Sequence, residues 1–529
     1  MKKMNEEERK ILSIRFVVVS LIFLALAGLE GLLMRFRILN ILTEFFDEKH
    51  FYSMMTAHPF VGVYGWAYMA VMGAFYFLVP YILKKDIYSK KAAYASFWLM
   101  LIGTLTVWTT TFITHYAPLY TLYWPIPTAY EIIGWDIHSI LFFGLGVTLI
   151  LGGVLVFFAN MFATIFLPLR HTDGASPSPW YVIRELLTTA FNLDKIKAKI
   201  KKTPEYSAKA FNYPVFVVAV FRGCVDTTLN AFVIGGVGLL LTIFAVSHMI
   251  PGAAIPITAV DPLIYKNVFW WGLDLIADGN VLIFTAGTWY LIVPLILNRK
   301  LYGESVVRTV ILADLVVSLF VWNHHMLADT PQPILLQVQG QLFTWGELIT
   351  MGLTMFAVLA TMWFARPVKY TAPLKFVLAS IVGYAVGGLA GIIQANYASN
   401  RFFHNTQWVI GIHGHIQLLV GLSLTLFAAI YALFPLLTGK ALDEKLASLH
   451  LILWTVGGLV MGLSMGLAGT LGMLRRTLYP MGLGPYEPYM FYATVGALML
   501  GVGFIVFLVN ILKTVKISDL LKIVFSSKY

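Results

Sequence analysis

The chain has 529 residues, 59% of them hydrophobic and 12% charged, with a mean hydropathy of +0.79. This excludes an ordinary soluble domain, because the apolar runs are long enough to cross a bilayer. The formal net charge of +11 resides in alternate loops between those runs, which membrane topology explains without a nucleic-acid partner, and the single cysteine, Cys224, excludes a disulfide framework or a multi-cysteine metal centre.

Met1 to Lys10 carries charges of both signs, and no small-residue cleavage site follows the first apolar run. That pattern reads as a retained helix, not a signal peptide. Hydropathy predicts about twelve spans, at 12–34, 58–84, 94–114, 136–167, 213–247, 268–297, 306–326, 344–366, 374–396, 409–436, 449–472 and 490–513. The longer ones must tilt or project beyond the bilayer. No internal repeat is visible, so the inverted-repeat signature of many transporters is missing. The expectation is an all-α membrane protein, with 1–529 as one transmembrane domain and a basic loop at about 168–212.

Lysine and arginine set the expected orientation. Lys2, Lys3, Arg9 and Lys10 precede the first span, and Lys84, Lys85, Lys90 and Lys91 follow the second. The fourth loop holds Arg170, Arg184, Lys195, Lys197, Lys199, Lys201, Lys202 and Lys209. Later even loops and the tail continue the bias, and odd loops are poor in such residues. The chain is therefore expected to be a multi-pass protein of the cell membrane, with both termini cytoplasmic.

This topology places five histidines in the outer third of the bilayer. His58 begins the second span, His324 and His325 end the seventh, and His413 and His415 begin the tenth. Isolated histidines inside a membrane are costly and tend to mark function, and scattered structural ones have no reason to share a depth. At about 100° per residue, His413 and His415 lie roughly 200° apart, on opposite faces of one helix. Six-coordinate haem iron takes two axial imidazoles, which His58 and His415 can supply as a low-spin pair. His413 would then hold a second, high-spin haem with an open distal position. His324 and His325 would hold a non-haem metal facing it. The plain alternative is buried histidines bonded to backbone carbonyls.

The sixth span supplies the candidate third ligand. Asp274 and Asp278 are four apart, hence on one helical face and one turn apart in depth. Two carboxylates on one face inside a membrane are hard to explain as packing. One can ligate the metal while the other handles protons. The alternatives are a transporter's cation site or two protonated acids bonded to neighbours. After the eleventh span, Arg475 and Arg476 put positive charge on the basic-poor side. Guanidinium forks suit carboxylates such as haem propionates, and an ordinary interfacial arginine pair is the alternative. Arg222 and Asp226 in the fifth span read most simply as an i,i+4 ion pair. Glu30 and Glu347 fall toward the outer side, and Asp314 deeper.

Taken together, Thr56-Ala57-His58, Asn323-His324-His325, Trp408 to His415, and Gly472-Met473-Leu474-Arg475-Arg476 through Tyr479-Pro480 resemble the catalytic subunit of the haem–copper oxidase superfamily over nearly the whole length. Asp261-Pro262-Leu263, Phe269-Trp270-Trp271 and Leu122-Tyr123 through Pro127 are similar to B-type oxygen reductases. Met72-Gly73-Ala74 through Leu78-Val79-Pro80, and His413-Gly414-His415, are more similar to nitric oxide reductases. The resemblance implies two haems, one non-haem metal, and either a small electron-entry subunit served by a cytochrome or cupredoxin, or direct reduction by quinol.

The departures from the family pattern carry chemistry. Asp274 stands where the family has a histidine ligand, and Asp278 where A- and B-type oxygen reductases have a cross-linked tyrosine. Nitric oxide reductases carry an acid there. Leu474 replaces a proline, and the His404 to His413 spacing is one residue longer than usual, which puts the place of His404 near the propionates in question. An Asp–His–His set is harder than three imidazoles and favours iron over copper. Coupling two NO molecules needs only two electrons, whereas reducing O2 to water benefits from the tyrosine as a further donor. The expectation is nitric oxide reduction, with oxygen reduction and a non-redox transporter as alternatives.

Overall fold

The structure is a computed structural model that describes residues 4–167, six positions of the following loop (178, 180, 184, 188, 191 and 193), 213–329 and 331–525. Of the basic loop, Arg170, Lys195, Lys197, Lys199, Lys201, Lys202 and Lys209 lie outside the described residues. Among the described residues, twelve helices are long and apolar enough to cross a membrane: α1 (Glu6–Ile38), α2 (Glu48–Leu83), α3 (Lys90–Thr114), α4 (Ile137–Phe166), α5 (Val215–Met249), α6 (Pro262–Leu297), α7 (Glu304–Met326), α8 (Ile334–Phe364), α9 (Ala372–Gln394), α10 (Val409–Thr438), α11 (Glu444–Thr470) and α12 (Gly484–Thr514). All twelve expected spans are present. Several helices start well before their hydropathy edge, because capped polar turns carry them past the apolar stretch. Asp47 caps α2, whose first residue, Glu48, is ten residues ahead of the expected start, and Asp261, followed by Pro262, caps α6.

Consecutive helices pack side by side, α3 on α4, α4 on α5, and α11 on α12, while α10 sits between α9 and α11. Small residues allow the close crossings, as helices in lipid require. A Cβ on Gly103 would lie 2.7 Å from the Ile150 nitrogen, and one on Gly457 would lie 2.8 Å from the Gly496 carbonyl.

Among the described residues, three spans contain wide turns. Residues Phe60–Tyr68 of α2, Ala277–Leu282 of α6 and Val409–Ser423 of α10 form wide π-type turns. In α2 a cause is visible in the sequence. Pro59 directly precedes the wide segment, and it has no N–H to give to the preceding turn. Wide turns concentrate at functional sites, and each of these three borders or contains a candidate residue: His58, Asp278, and the pair His413 and His415. The regular-helix spacing assumed for His413 and His415 is therefore corrected, since they stand on a wider turn.

Candidate active site

Asp274, His324 and His325 come together in the structure, with one ligand atom from each lying within 4.8 Å of the others. His325 Nε2 is 3.3 Å from Asp274 Oδ1, and His324 Nδ1 is 4.0 Å from Asp274 Oδ2. The two imidazoles are adjacent because α7 gives up regular helix after Ser318 and ends in a 3₁₀ turn, Trp322–Met326. That turn is fixed from two directions. Asn400 Nδ2 donates to the His324 carbonyl at 2.6 Å. On α8, a Cβ on Gly340 would lie 2.7 Å from the Asn323 main chain, so only glycine allows the approach. Trp270 stacks on His325, with ring centres 3.9 Å apart and planes at 12°, and donates its indole N–H to Tyr123 at 3.0 Å.

Hydrogen bonds also select the imidazole nitrogen. Thr344 Oγ1 donates to the Gly340 carbonyl at 2.6 Å, so it accepts from His324 Nδ1 at 3.0 Å. The proton is therefore on Nδ1 and the lone pair on Nε2. His324 Nε2, His325 Nδ1 and Asp274 Oδ2 are buried without a hydrogen-bond partner. Leaving such atoms unpaired is costly, and the natural explanation is a bound ion. Metal bonds of about 2.0–2.2 Å to nitrogen and oxygen place ligand atoms about 3 Å apart, inside the 4.8 Å within which one ligand atom of each residue meets the others. The residues fit a metal.

Asp278, one turn along α6, is buried, and Glu347 of α8 interacts with it from the neighbouring helix. Along the chain Glu347 falls near the outer end of its expected span, with no motif that ties it to the site. Its only local signal is its position three residues after Thr344, on the same side of α8.

His58 and His415 face each other, ring centres 6.4 Å apart and planes at 26°. Two metal–imidazole bonds of about 2.0–2.1 Å plus the half-widths of two rings span about 6 Å, so one iron fits between them. Both Nδ1 atoms donate to carbonyls, His58 to Ala27 at 3.0 Å and His415 to Ile410 at 2.7 Å. Both Nε2 atoms are thereby left as lone-pair donors. His413 does the same, its Nδ1 donating to Gly387 at 2.8 Å. A Cβ on Gly391 would lie 2.7 Å from the His413 ring, so that glycine makes room for it. The carbonyl bonds of the plain alternative are present, and they leave the opposite nitrogen free, as ligation requires.

Arg475 and Arg476 are held by a short antiparallel pairing of two loops. Gln407 N donates to Met473 O at 2.8 Å, and Arg475 N to Asn405 O at 3.0 Å. Arg475 Nη2 donates to Asn405 Oδ1 at 3.2 Å, while its Nε is buried and unpaired. Burial pushes its pKa down from the ordinary arginine value, a cost that an anionic neighbour would offset. Arg476 Nη1 donates to Thr121 at 2.8 Å, with its guanidinium near the Tyr120 and Tyr123 rings. His404 stands beside the metal-binding group, 5.5 Å from the His325 ring and 6.2 Å from Trp270. The longer spacing before His413 therefore leaves His404 at the site.

A buried Asp–His–His group and a facing pair of imidazoles, carried on twelve apolar helices, are donor sets that suit a membrane oxidoreductase. The family profile described as cytochrome c and quinol oxidase polypeptide I matches residues 11–499, and the chain belongs to this family, subunit I of the haem–copper oxidases. It is 25% identical over 524 residues to a cytochrome c oxidase subunit 1 of Thermostichus vulcanus, covering 96% of this chain and 83% of the relative. It is 24% identical to a quinol oxidase subunit 1 of Bacillus spizizenii, covering 95% and 71%. A solved structure of a haem–copper terminal oxidase dimer superposes with a TM-score of 0.72 at 21% identity, covering 99% of this chain and 85% of that one.

Proposed function

We propose that the chain is the catalytic subunit of a respiratory terminal oxidoreductase of the cell membrane that reduces nitric oxide to nitrous oxide. The observation that carries this reading is the carboxylate at the metal group: Asp274 beside His324 and His325, backed by Asp278 and Glu347. Asp274, His324 and His325 would hold a non-haem metal, His413 a high-spin haem, and His58 with His415 a low-spin haem. An anionic oxygen favours a harder ion, so iron is proposed over copper.

Two NO, two electrons and two protons give N2O and water. The bound haem and metal supply the electron pair and the open coordination positions. The protein's own part is placement and protons. Thr344, Gly387, Ala27 and Ile410 aim the imidazoles, and Trp270 restrains His325. Asp278 and Glu347 hold protons beside the reaction. Arg475 and Arg476 would take haem propionates. Electrons would come through a small partner subunit served by a cytochrome or cupredoxin, or from quinol. Both termini are proposed to be cytoplasmic, and 1–529 to form one catalytic domain.

Oxygen reduction is the second reading, favoured by the relatives' names, cytochrome c oxidase and quinol oxidase subunit 1. Anaerobic NO consumption and O2 consumption, measured on one preparation with the same electron donor, decide between them. Faster O2 than NO turnover would overturn the first reading. A preparation without haem absorption would leave only a non-redox transporter.

A further inference from the structure

Beneath the metal-binding group lies a guanidinium that plays no part in the chemistry above. Arg222 of α5 is fully buried, and the expected ion pair with Asp226 is present at 3.0 Å. The pair is part of a larger arrangement. Arg222 Nη2 also reaches Asp314 Oδ2 of α7 at 3.3 Å. More tellingly, the same guanidinium donates to two main-chain carbonyls, Asp278 of α6 at 2.6 Å and Asp314 of α7 at 3.2 Å. Those are the two helices that carry Asp274 and the His324–His325 turn. The Asp278 carbonyl belongs to the wide turn Ala277–Leu282 and also accepts from Ile283 N. At this level a Cβ on Gly279 would lie 2.8 Å from Asp226 Cβ, so α6 presses directly against α5.

A buried ion cluster is a poor source of stability, since apolar replacements of equal volume often match or exceed it. Its better-attested use is to set register, and a planar fork that reaches two helices at once suits that use. We infer that Arg222 is a positioning residue for the metal group: it fixes the spacing of α6 and α7 through their carbonyls, and so the distance from Asp274 to His324 and His325. Asp226 and Asp314 orient the fork. The inference rests on the reading of Asp274, His324 and His325 as metal ligands.

The test compares wild-type protein with Arg222→Gln, Arg222→Lys and the double variant Arg222→Gln/Asp226→Asn, which keeps the formal charge of the cluster. The readouts are the non-haem metal per haem, the low-spin haem spectrum, and the magnetic signature of the non-haem metal. Arg222→Gln and the double variant are expected to keep the low-spin haem while metal affinity falls about 10-fold or more, the usual effect of losing an outer-shell support. Arg222→Lys, a point charge without the fork, should also alter the magnetic signature. Wild-type metal content and signature in Arg222→Gln, or their full return in the double variant, would overturn the inference. So would joint loss of haem and metal in all three, which would make Arg222 a folding residue. Wild-type protein with no non-haem metal would instead refute the ligand reading itself.

Discussion

His324 Nδ1 lies 3.0 Å from Thr344 Oγ1, and that hydroxyl is itself committed to the Gly340 carbonyl. The relationship leaves the imidazole one tautomer, with the lone pair on Nε2, which is buried without a hydrogen-bond partner. Thr344→Val keeps the shape and removes the acceptor. Non-haem metal affinity is expected to fall about 10- to 100-fold with both haems retained, as read by metal titration of chelator-treated protein. Unchanged affinity would show that Thr344 does not orient the ring.

His58→Ala and His415→Ala should each abolish the low-spin haem signal, because either leaves one axial position empty. The facing rings at 6.4 Å motivate this. A bis-imidazole spectrum persisting in both variants would refute the pairing.

Arg475→Ala combined with Arg476→Ala should lower haem retention or shift the haem midpoint potential, since Arg475 Nε is buried and waiting for an acceptor. A redox titration with unchanged haem content and midpoint would reduce both residues to interfacial anchors.

Asp274→Asn and Asp278→Asn should separate ligation from proton handling. Asp274→Asn is expected to weaken the non-haem metal while both haems remain. Asp278→Asn should keep all three cofactors and slow turnover by about 100-fold or more, the usual scale for a lost proton-transfer group. Elemental analysis of the wild type should find iron as the third metal. One copper and two irons per chain would refute the iron assignment.

Much of this molecule is legible along the chain because its cause is local. A bilayer demands apolar runs of about 20 residues, so the twelve helices could be counted from hydropathy. Histidines and carboxylates in those runs are expensive enough to stand out singly. That is how His58, Asp274, Asp278, His324, His325, His413 and His415 could be named before any distance was known. The i,i+4 spacing of Arg222 and Asp226 was enough to predict their ion pair. What only the tertiary structure decided depends on pairs remote in sequence. Thr344 selects the nitrogen of His324, Glu347 comes beside Asp278, and the loop pairing of Asn405 with Arg475 aims a guanidinium. The wide turns of α6 and α10 have no proline to announce them, unlike the one after Pro59 in α2. A threonine, a backbone carbonyl or an extra residue per turn costs almost nothing locally. Its meaning comes from the neighbour that packing brings to it, and hydropathy and periodicity do not encode that neighbour.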